Sequence, residues 1–204
     1  MNSNGILMVV LAFVIAYALG NINPAIILGK IKGIDIRKEG SGNAGMTNTI
    51  RVMGLKAGIT VFVVDVLKAF IAVKIGFAIA GMYGAMAGFA GVVIGHCWPA
   101  AFGFKGGKGV AASLGAALAL NWVSALAALA VAGILFAITR KMSIGSIGAA
   151  IVYPVVVWFC APEYKWFAIC AALFLVLTHT QNIKRIGKGE EKQLTIGGKD
   201  KTDE

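Results

Sequence analysis

Three polar clusters in this chain carry the residue types that bind phosphate groups and move protons. Two of them are Gly-rich, GSGNAGMTNTIR at 40–51 and GFKGGKGVAAS at 103–113, and each runs into a predicted helix. Glycines allow successive backbone N–H groups to point into one concavity that suits an anion, and a helix N-terminus adds partial positive charge. Arg51 and Lys108 add full charges. We therefore predict that both loops bind phosphate-bearing ligands.

The third cluster, HTQNIKRIGKGEE at 179–191, closes the last apolar segment. His179 and Asn182 are three positions apart, so both side chains can face one site from a single helix face. Arg185 follows close by. A lone histidine at a helix end is usually an interfacial residue, but three such clusters on one membrane face predict a shared active site.

The first six residues of the first loop also fit G-x-G-x-x-G, the fingerprint of dinucleotide-binding folds. That fingerprint has meaning only between a strand and a helix of a βαβ unit. Here apolar segments long enough to cross a membrane flank it, and Asp65, at the spacing of a ribose-binding acid, falls inside one of them. The loop at 103–113 lacks G-x-x-x-x-G-K-[ST]. We therefore exclude a nucleotide site.

The composition is that of an integral membrane protein. Of the 204 residues, 58% are hydrophobic and only 14% are charged, and the mean hydropathy is +0.82. A soluble domain carries about 25% charged residues. The net charge of +10 is better explained by cations that orient membrane helices than by nucleic acid, because the sequence has no continuous basic face.

Seven apolar segments predict an all-α integral membrane fold with seven transmembrane helices. They span 5–20, 58–80, 82–97, 110–120, 122–139, 144–160 and 165–181. The fourth and fifth could instead form one long helix, since each is short or marginal for crossing a bilayer. A two-helix hairpin divided at Asn121 is favoured by the distribution of charge.

With that hairpin, 16 of the 19 lysines and arginines fall on one side of the membrane. They are Lys30, Lys32, Arg37, Lys38, Arg51, Lys56, Lys105, Lys108, Arg140, Lys141 and six cations in 182–204. Positive charge accumulates on the cytoplasmic side. We therefore expect a multi-pass membrane protein with its N-terminus outside, its C-terminus cytoplasmic and its active site on the cytoplasmic face. We also expect a single domain over 1–191 and a disordered polar tail over 192–204.

Asp65 and Lys68 lie deep in the second segment, three positions apart on one helix face. They form either an ion pair that locks helices together or a support for the cytoplasmic site from behind. His96, at the end of the third segment, is expected to be structural or to lie behind the site. Close helix packing is predicted for the glycines of this segment, Gly81, Gly84, Gly88, Gly91 and Gly95.

Together, the three clusters resemble the bacterial acyl-phosphate:glycerol-3-phosphate acyltransferases of the inner membrane. The stretches that carry the resemblance are GSGNAGMTNTIR, GHCWPAAFGFKGGKGVAAS at 95–113 and HTQNIKRIGKGEE, in the same order and with similar spacing. The resemblance implies a seven-helix enzyme that moves a fatty acyl group from acyl phosphate to the sn-1 hydroxyl of glycerol 3-phosphate. The products would be lysophosphatidic acid and phosphate, for phospholipid synthesis.

The resemblance implies Ser41, Arg51, Lys108, His179 and Asn182 as site residues, and the chemistry of the loops and of the buried polar residues adds the others, which gives three sets. The catalytic set is Ser41, Lys108, His179 and Asn182. The phosphate-binding set is Arg51, Lys108, Lys105, Gly42, Asn43, Thr47, Asn48, Gly106, Gly107 and Gly109. The set behind the site is Asp65, Lys68, His96 and Arg185. Backbone amides from Gly106 to Gly109, with Ser41 and Asn182, are candidates to stabilise the oxyanion.

The proton acceptor is left open by the sequence. His-x4-Asp, common in other glycerolipid acyltransferases, is absent, since Ala101 and Lys184 occupy the positions of the acid. His179 is one candidate, and a covalent route through Ser41 is another. We favour direct attack by the hydroxyl, with the phosphate of the substrate as the proton acceptor and His179 as a hydrogen-bonding group.

No cofactor and no metal are expected, because no carboxylate or Cys/His cluster has ligand spacing. The expected partners are acyl phosphate, glycerol 3-phosphate, membrane lipid and an enzyme that produces acyl phosphate, but no nucleic acid. The protein is expected to be a monomer. An anion transporter is the alternative, although it would place more polar groups at mid-bilayer and usually show repeat symmetry.

Overall fold

The computed structural model describes residues 2–194, and all regular structure within them is helical. The nine α-helices are α1 (Ser3–Gly20), α2 (Pro24–Ile31), α3 (Met46–Met53), α4 (Leu55–Cys97), α5 (Val110–Leu120), α6 (Trp122–Thr139), α7 (Met142–Cys160), α8 (Lys165–Thr178) and α9 (Thr180–Gly187). Two short 3₁₀ turns, Ala100–Phe102 and Pro162–Tyr164, precede the second loop and α8.

The long helix α4 is a hairpin of two arms, 55–79 and 82–97. Its backbone leaves helical geometry at Ala80 and Gly81, and Gly81 has a φ of 58°, which glycine adopts without steric cost. Beyond this turn the two arms run side by side. They are so close that a Cβ on Gly84 would collide with the backbone of Gly76. The predicted boundary between the second and third segments is therefore correct.

The predicted role of the glycines in the second arm is confirmed for four of them. Gly84 and Gly88 face the backbone of the first arm, while Gly91 and Gly95 face the backbone of α1 at Phe13 and Tyr17. A Cβ at any of these positions would overlap a backbone atom of the neighbouring helix. Gly81 differs from the prediction, because it forms the turn and no atom lies within 4 Å of its Cβ position.

Helices α5 and α6 are separate, as the charge distribution favoured. Asn121 between them has an extended backbone with φ −153° and ψ 104°. Its side chain accepts a hydrogen bond from the backbone N–H of Ser124 at 2.8 Å, so it caps α6. Gly115 lets α5 lie directly on the first arm of α4, at Val66.

Three helical segments are long and apolar enough, on their own, to cross a membrane: Ser3–Ile31, Trp122–Thr139 and Met142–Cys160. The bent pair Pro162–Thr178 and Thr180–Gly187 would make a fourth. The two arms of α4 and the helix α5 match the three remaining predicted segments in position. An all-helical, multi-pass membrane architecture is thus established for the described part of the chain.

A small second core supports the first loop. The residues buried in it are Ala25, Ile26, Ile36, Ala44 and Val61. At the other end of the described chain, residues 192–194 lie against the helix bundle, and the N–H of Leu194 donates to the carbonyl of Arg140 at 2.9 Å. The remainder of the predicted tail lies outside the described residues.

Candidate active site

The three polar clusters meet in one cavity of about 310 Å³. It is lined by ends of several helices and by the loops between them. The predicted site residues that line it are Ser41, Asn43, Thr47, Arg51, Asp65, His96, Lys108, Gly109, His179, Asn182 and Arg185. Residues far apart in the sequence thus form one site.

Asn48 holds the first loop in shape. Its side chain is fully buried, and its Oδ1 accepts a hydrogen bond from the N–H of Ser41 at 2.8 Å. Its Nδ2 donates to the carbonyls of Ile36 and Glu39, both at 3.0 Å. The hydrogen-bonding groups of this amide are therefore satisfied inside the loop. Asn48 was predicted to bind phosphate, but it does not line the cavity.

Arg51 reaches the cavity from the last turn of α3. Its Nη2 donates to the carbonyls of Lys192 and Gln193 at 3.3 and 3.4 Å. Its Nε is buried and has no hydrogen-bond partner among the described residues. A buried, unpaired donor on a guanidinium is costly, so Arg51 has hydrogen-bonding capacity that a bound anion can satisfy.

The second loop presents Lys108 and the N-terminus of α5 to the cavity. The N–H groups of Gly106 and Gly107 donate to the carbonyls of Cys97 and His96, both at 3.1 Å. These two amides are therefore occupied and do not face an oxyanion, contrary to the prediction. Gly109, Val110 and Ala111 line the cavity instead, where the first N–H groups of α5 lack helical partners.

Lys108 and Asn182 join the second and third clusters. The ammonium of Lys108 donates to Oδ1 of Asn182, while Nδ2 of Asn182 donates to Glu191 at 2.6 Å. Arg185 donates to the other carboxylate oxygen of Glu191 at 2.8 Å. Burial, reinforced by the charges of Arg185 and Arg51 and opposed by Glu191, lowers the pKa of Lys108 to about 8.

Glu191 lines the cavity, and the sequence-based site list omitted it. Burial alone would raise its pKa, but the hydrogen bonds that it accepts outweigh burial and hold the pKa below the usual value. Its carboxylate fixes the orientation of the Asn182 amide, so that Oδ1 faces Lys108. Only the spacing of Glu191 after Asn182 and Arg185 could have indicated this role.

His179 occupies the junction between α8 and α9 and is 3% exposed. Its Nδ1 lies 2.8 Å from the carbonyl of Leu175, which can only accept, so Nδ1 carries the proton. In the neutral ring, Nε2 is then the acceptor.

Asp65, Lys68 and His96 form a buried cluster behind the loops. Oδ1 of Asp65 lies 2.7 Å from Nζ of Lys68 and 3.2 Å from Nδ1 of His96. Lys68 also donates to the carbonyls of Gly20 and Ile22 at 3.3 and 2.5 Å. The predicted ion pair is present and ties the end of α1 to both arms of α4.

Six residues of the predicted site do not line the cavity. They are Gly42, Asn48, Lys68, Lys105, Gly106 and Gly107. Lys105 is exposed on the surface, where its charge is screened by solvent. Lys68 contacts two residues that do line the cavity, Asp65 and His96.

A second, apolar cavity adjoins the polar one. It lies between α5, α6, α7 and α8, and its lining is mostly alanine and leucine. Val110 and Ser146 line both cavities. The polar site therefore lies beside an apolar space suited to a hydrocarbon chain.

Comparison with known proteins gives one consistent family. The family described as Glycerol-3-phosphate acyltransferase matches residues 10–189. A protein of that name from Thermoanaerobacter pseudethanolicus is 41% identical over 188 residues, covering 91% of this chain and 95% of the relative. The one from Clostridioides difficile is 44% identical over 192 residues, covering 89% and 93%.

Two solved structures are similar to this fold. Both are crystal structures of PlsY (YgiH), an integral membrane glycerol 3-phosphate acyltransferase, and both are 34% identical to this chain. The glycerol 3-phosphate form has a TM-score of 0.87 and covers 92% of this chain and 96% of its own. The lysophosphatidic acid form has a TM-score of 0.84, with coverage of 91% and 94%. With nearly the whole chain matched in sequence and in fold, this protein belongs to the glycerol-3-phosphate acyltransferase family.

Proposed function

We propose that this enzyme takes its acyl group from acyl phosphate and delivers it to the sn-1 hydroxyl of glycerol 3-phosphate. The observation that carries the proposal is the pair of adjoining cavities, one cationic and one apolar. The cationic cavity suits two phosphate-bearing substrates, and the apolar one suits the acyl chain. The related structures in glycerol 3-phosphate and lysophosphatidic acid forms support the same substrate and product.

Different groups of the cavity can bind the phosphates of the two substrates. Arg51 offers a planar guanidinium that can bind a phosphate bidentately, whereas Lys108 acts as a point charge. The N-terminus of α5 adds partial positive charge at Gly109 and Val110. Since acyl phosphate has a good leaving group, the main tasks are to bring two anions together and to stabilise the oxyanion.

The location of the site supports a cytoplasmic active site in the bacterial inner membrane. The cavity is lined from the ends of the second arm of α4 and of α8, and from the starts of α5 and α7. If each of these helices crosses the membrane and the N-terminus is outside, all of these ends lie on the cytoplasmic side. We further propose that the protein works as a monomer and receives acyl phosphate from a separate enzyme.

The test is an assay with glycerol 3-phosphate and palmitoyl phosphate in mild detergent or a lipid mesophase. Phosphate and lysophosphatidic acid are expected in equal amounts, with no turnover of palmitoyl-CoA. Lys108→Ala is expected to lose turnover, because it removes a buried charge from the phosphate site. A folded, monodisperse wild-type protein inactive with every donor would contradict the proposal, and anion flux into liposomes would then be measured. The transporter alternative is not favoured, because the relatives are named acyltransferases.

A further inference from the structure

The turn between α1 and α2 contacts both Gly-rich regions of the site. It consists of Asn21, Ile22 and Asn23. Oδ1 of Asn21 accepts a hydrogen bond at 3.0 Å from the N–H of Ala101, in the 3₁₀ turn that leads into the second loop. Nδ2 of Asn23 donates at 3.3 Å to the carbonyl of Ala44, in the first loop. One short stretch of chain is therefore bonded to both sides of the site.

The two loops meet at the carbonyl that Asn23 holds. Asn23 and Ala44 are both fully buried. A Cβ on Gly107 would lie 2.8 Å from the carbonyl oxygen of Ala44, so the second loop packs directly against this oxygen. The chain neighbours of these two contact residues, Asn43 and Lys108, line the polar cavity. The position of the Ala44 carbonyl therefore sets the distance between the cavity-lining parts of the two loops.

The turn is itself held from the interior of the helix bundle. The ammonium of Lys68 donates to the carbonyls of Gly20 and Ile22 at 3.3 and 2.5 Å. Oδ1 of Asn23 accepts the N–H of Ile26 at 3.1 Å and so caps α2. An asparagine amide has separate acceptor and donor atoms. The cap uses Oδ1, and Nδ2 remains to hold the first loop.

We propose that Asn23 is a positioning residue for the acyl transfer, with Asn21 as its counterpart on the second loop. This rests on the proposed function, in which two phosphate-bearing substrates must be held together. Asn48 already maintains the internal shape of the first loop, so Asn23 controls where that loop lies relative to Lys108. A misplacement of about 1 Å between reacting groups can lower turnover by about 10²-fold.

Asn23→Ser separates the cap from the contact with the loop. Serine caps a helix about as well as asparagine, but its hydroxyl oxygen is one bond nearer the backbone than Nδ2 and does not reach Ala44. The variant is therefore expected to unfold at the same temperature as the wild type in detergent. Its turnover is expected to fall by up to about 10²-fold, while labelled glycerol 3-phosphate still binds in equilibrium dialysis.

Asn121→Ser is the matched control. Asn121 caps α6 through the same atom, Oδ1, at 2.8 Å from the N–H of Ser124, and it does not line the polar cavity. The same substitution is expected to leave turnover unchanged there. On the second loop, Asn21→Ala is expected to lower turnover, whereas Asn21→Asp keeps an acceptor for the N–H of Ala101 and is expected to retain it.

Wild-type turnover in Asn23→Ser would overturn the proposal. Loss of glycerol 3-phosphate binding in proportion to turnover would also overturn it, because Asn23 would then only maintain the fold of a binding loop. If Asn23→Ser does not yield folded protein, Asn21→Ala decides by the same two criteria. The wild type is assayed alongside, and its own inactivity would instead count against the proposed function.

Discussion

At the scale of single residues, the cavity combines permanent and titratable positive charge. Arg51 contributes a guanidinium, whereas burial and two nearby arginines lower the pKa of the Lys108 ammonium to about 8. Asn182 and Glu191 hold Lys108 in place. Phosphate binding to this enzyme is therefore expected to depend on pH through one side chain.

The first prediction follows from the pKa of Lys108. The protonated form binds phosphate, so above about pH 8 each binding event must also take up a proton. KM for glycerol 3-phosphate is then expected to rise by up to about tenfold per pH unit. A bound phosphate favours the protonated form of Lys108, so proton uptake by this side chain is linked to substrate binding.

The measurement is KM between about pH 7 and 9.5 for the wild type and Lys108→Arg. The guanidinium stays charged across this range, so the variant is expected to bind more weakly but with a flat profile. Parallel profiles for the two proteins would show that another group titrates.

At the scale of elements, close packing of helix backbones positions the site. The two arms of α4 approach at Gly76 and Gly84, and the second arm meets α1 at Gly91 and Gly95. In lipid, small residues at such contacts allow the van der Waals packing that holds helices together. His96 lies at the end of the arm that these glycines hold.

The second prediction is that Gly84→Ala destabilises the protein. Its Cβ would lie 2.9 Å from the Cβ of Ala80 and would overlap the carbonyl of Gly76, and overpacking of this kind costs about 1–3 kcal/mol. Thermal unfolding in detergent is expected to occur at a lower temperature. Gly133→Ala in α6 is the matched control, because nothing lies within 4 Å of its Cβ position.

Alanine is the better helix former by about 1 kcal/mol, so Gly133→Ala is expected to match or exceed the stability of the wild type. Equal stability of the two variants would mean that the arms of α4 can separate without loss of the fold.

At the scale of the whole molecule, the distribution of charge predicts the orientation in the membrane. Single cysteines at Ser3, Lys32, Glu163 and Lys188, in a background without the three native cysteines, report on both faces. Ser3→Cys and Glu163→Cys are expected to react with an impermeant maleimide on intact cells. Lys32→Cys and Lys188→Cys are expected to react only after permeabilisation, since positive charge favours the cytoplasmic side.

Reaction of Ser3 and Lys188 from the same side would require an even number of crossings, and the seven-span topology would be wrong. Reaction of Lys32 on intact cells would invert the orientation and place the cationic cavity outside. The second result would also separate the cavity from the proposed cytoplasmic supply of acyl phosphate.

The sequence by itself determined the helical segments, the three clusters and the family. Apolar runs, charge bias and helical spacing can be read along the chain, so charge predicted the break at Asn121 and spacing predicted the pair of Asp65 and Lys68. Arg51, Lys108 and His179 belong to short motifs whose residue types suit phosphate, and the structure brings them to one cavity.

Only the tertiary structure decided how the polar groups pair. Asn48 and the amides of Gly106 and Gly107 are satisfied within the protein, and Glu191 orients Asn182. His96 meets its carboxylate 31 positions away. Hydrogen bonds depend on distances between atoms of different helices, which the packing of glycine-lined backbones sets. Spacing along one chain segment therefore cannot reveal which polar groups remain free to meet a substrate.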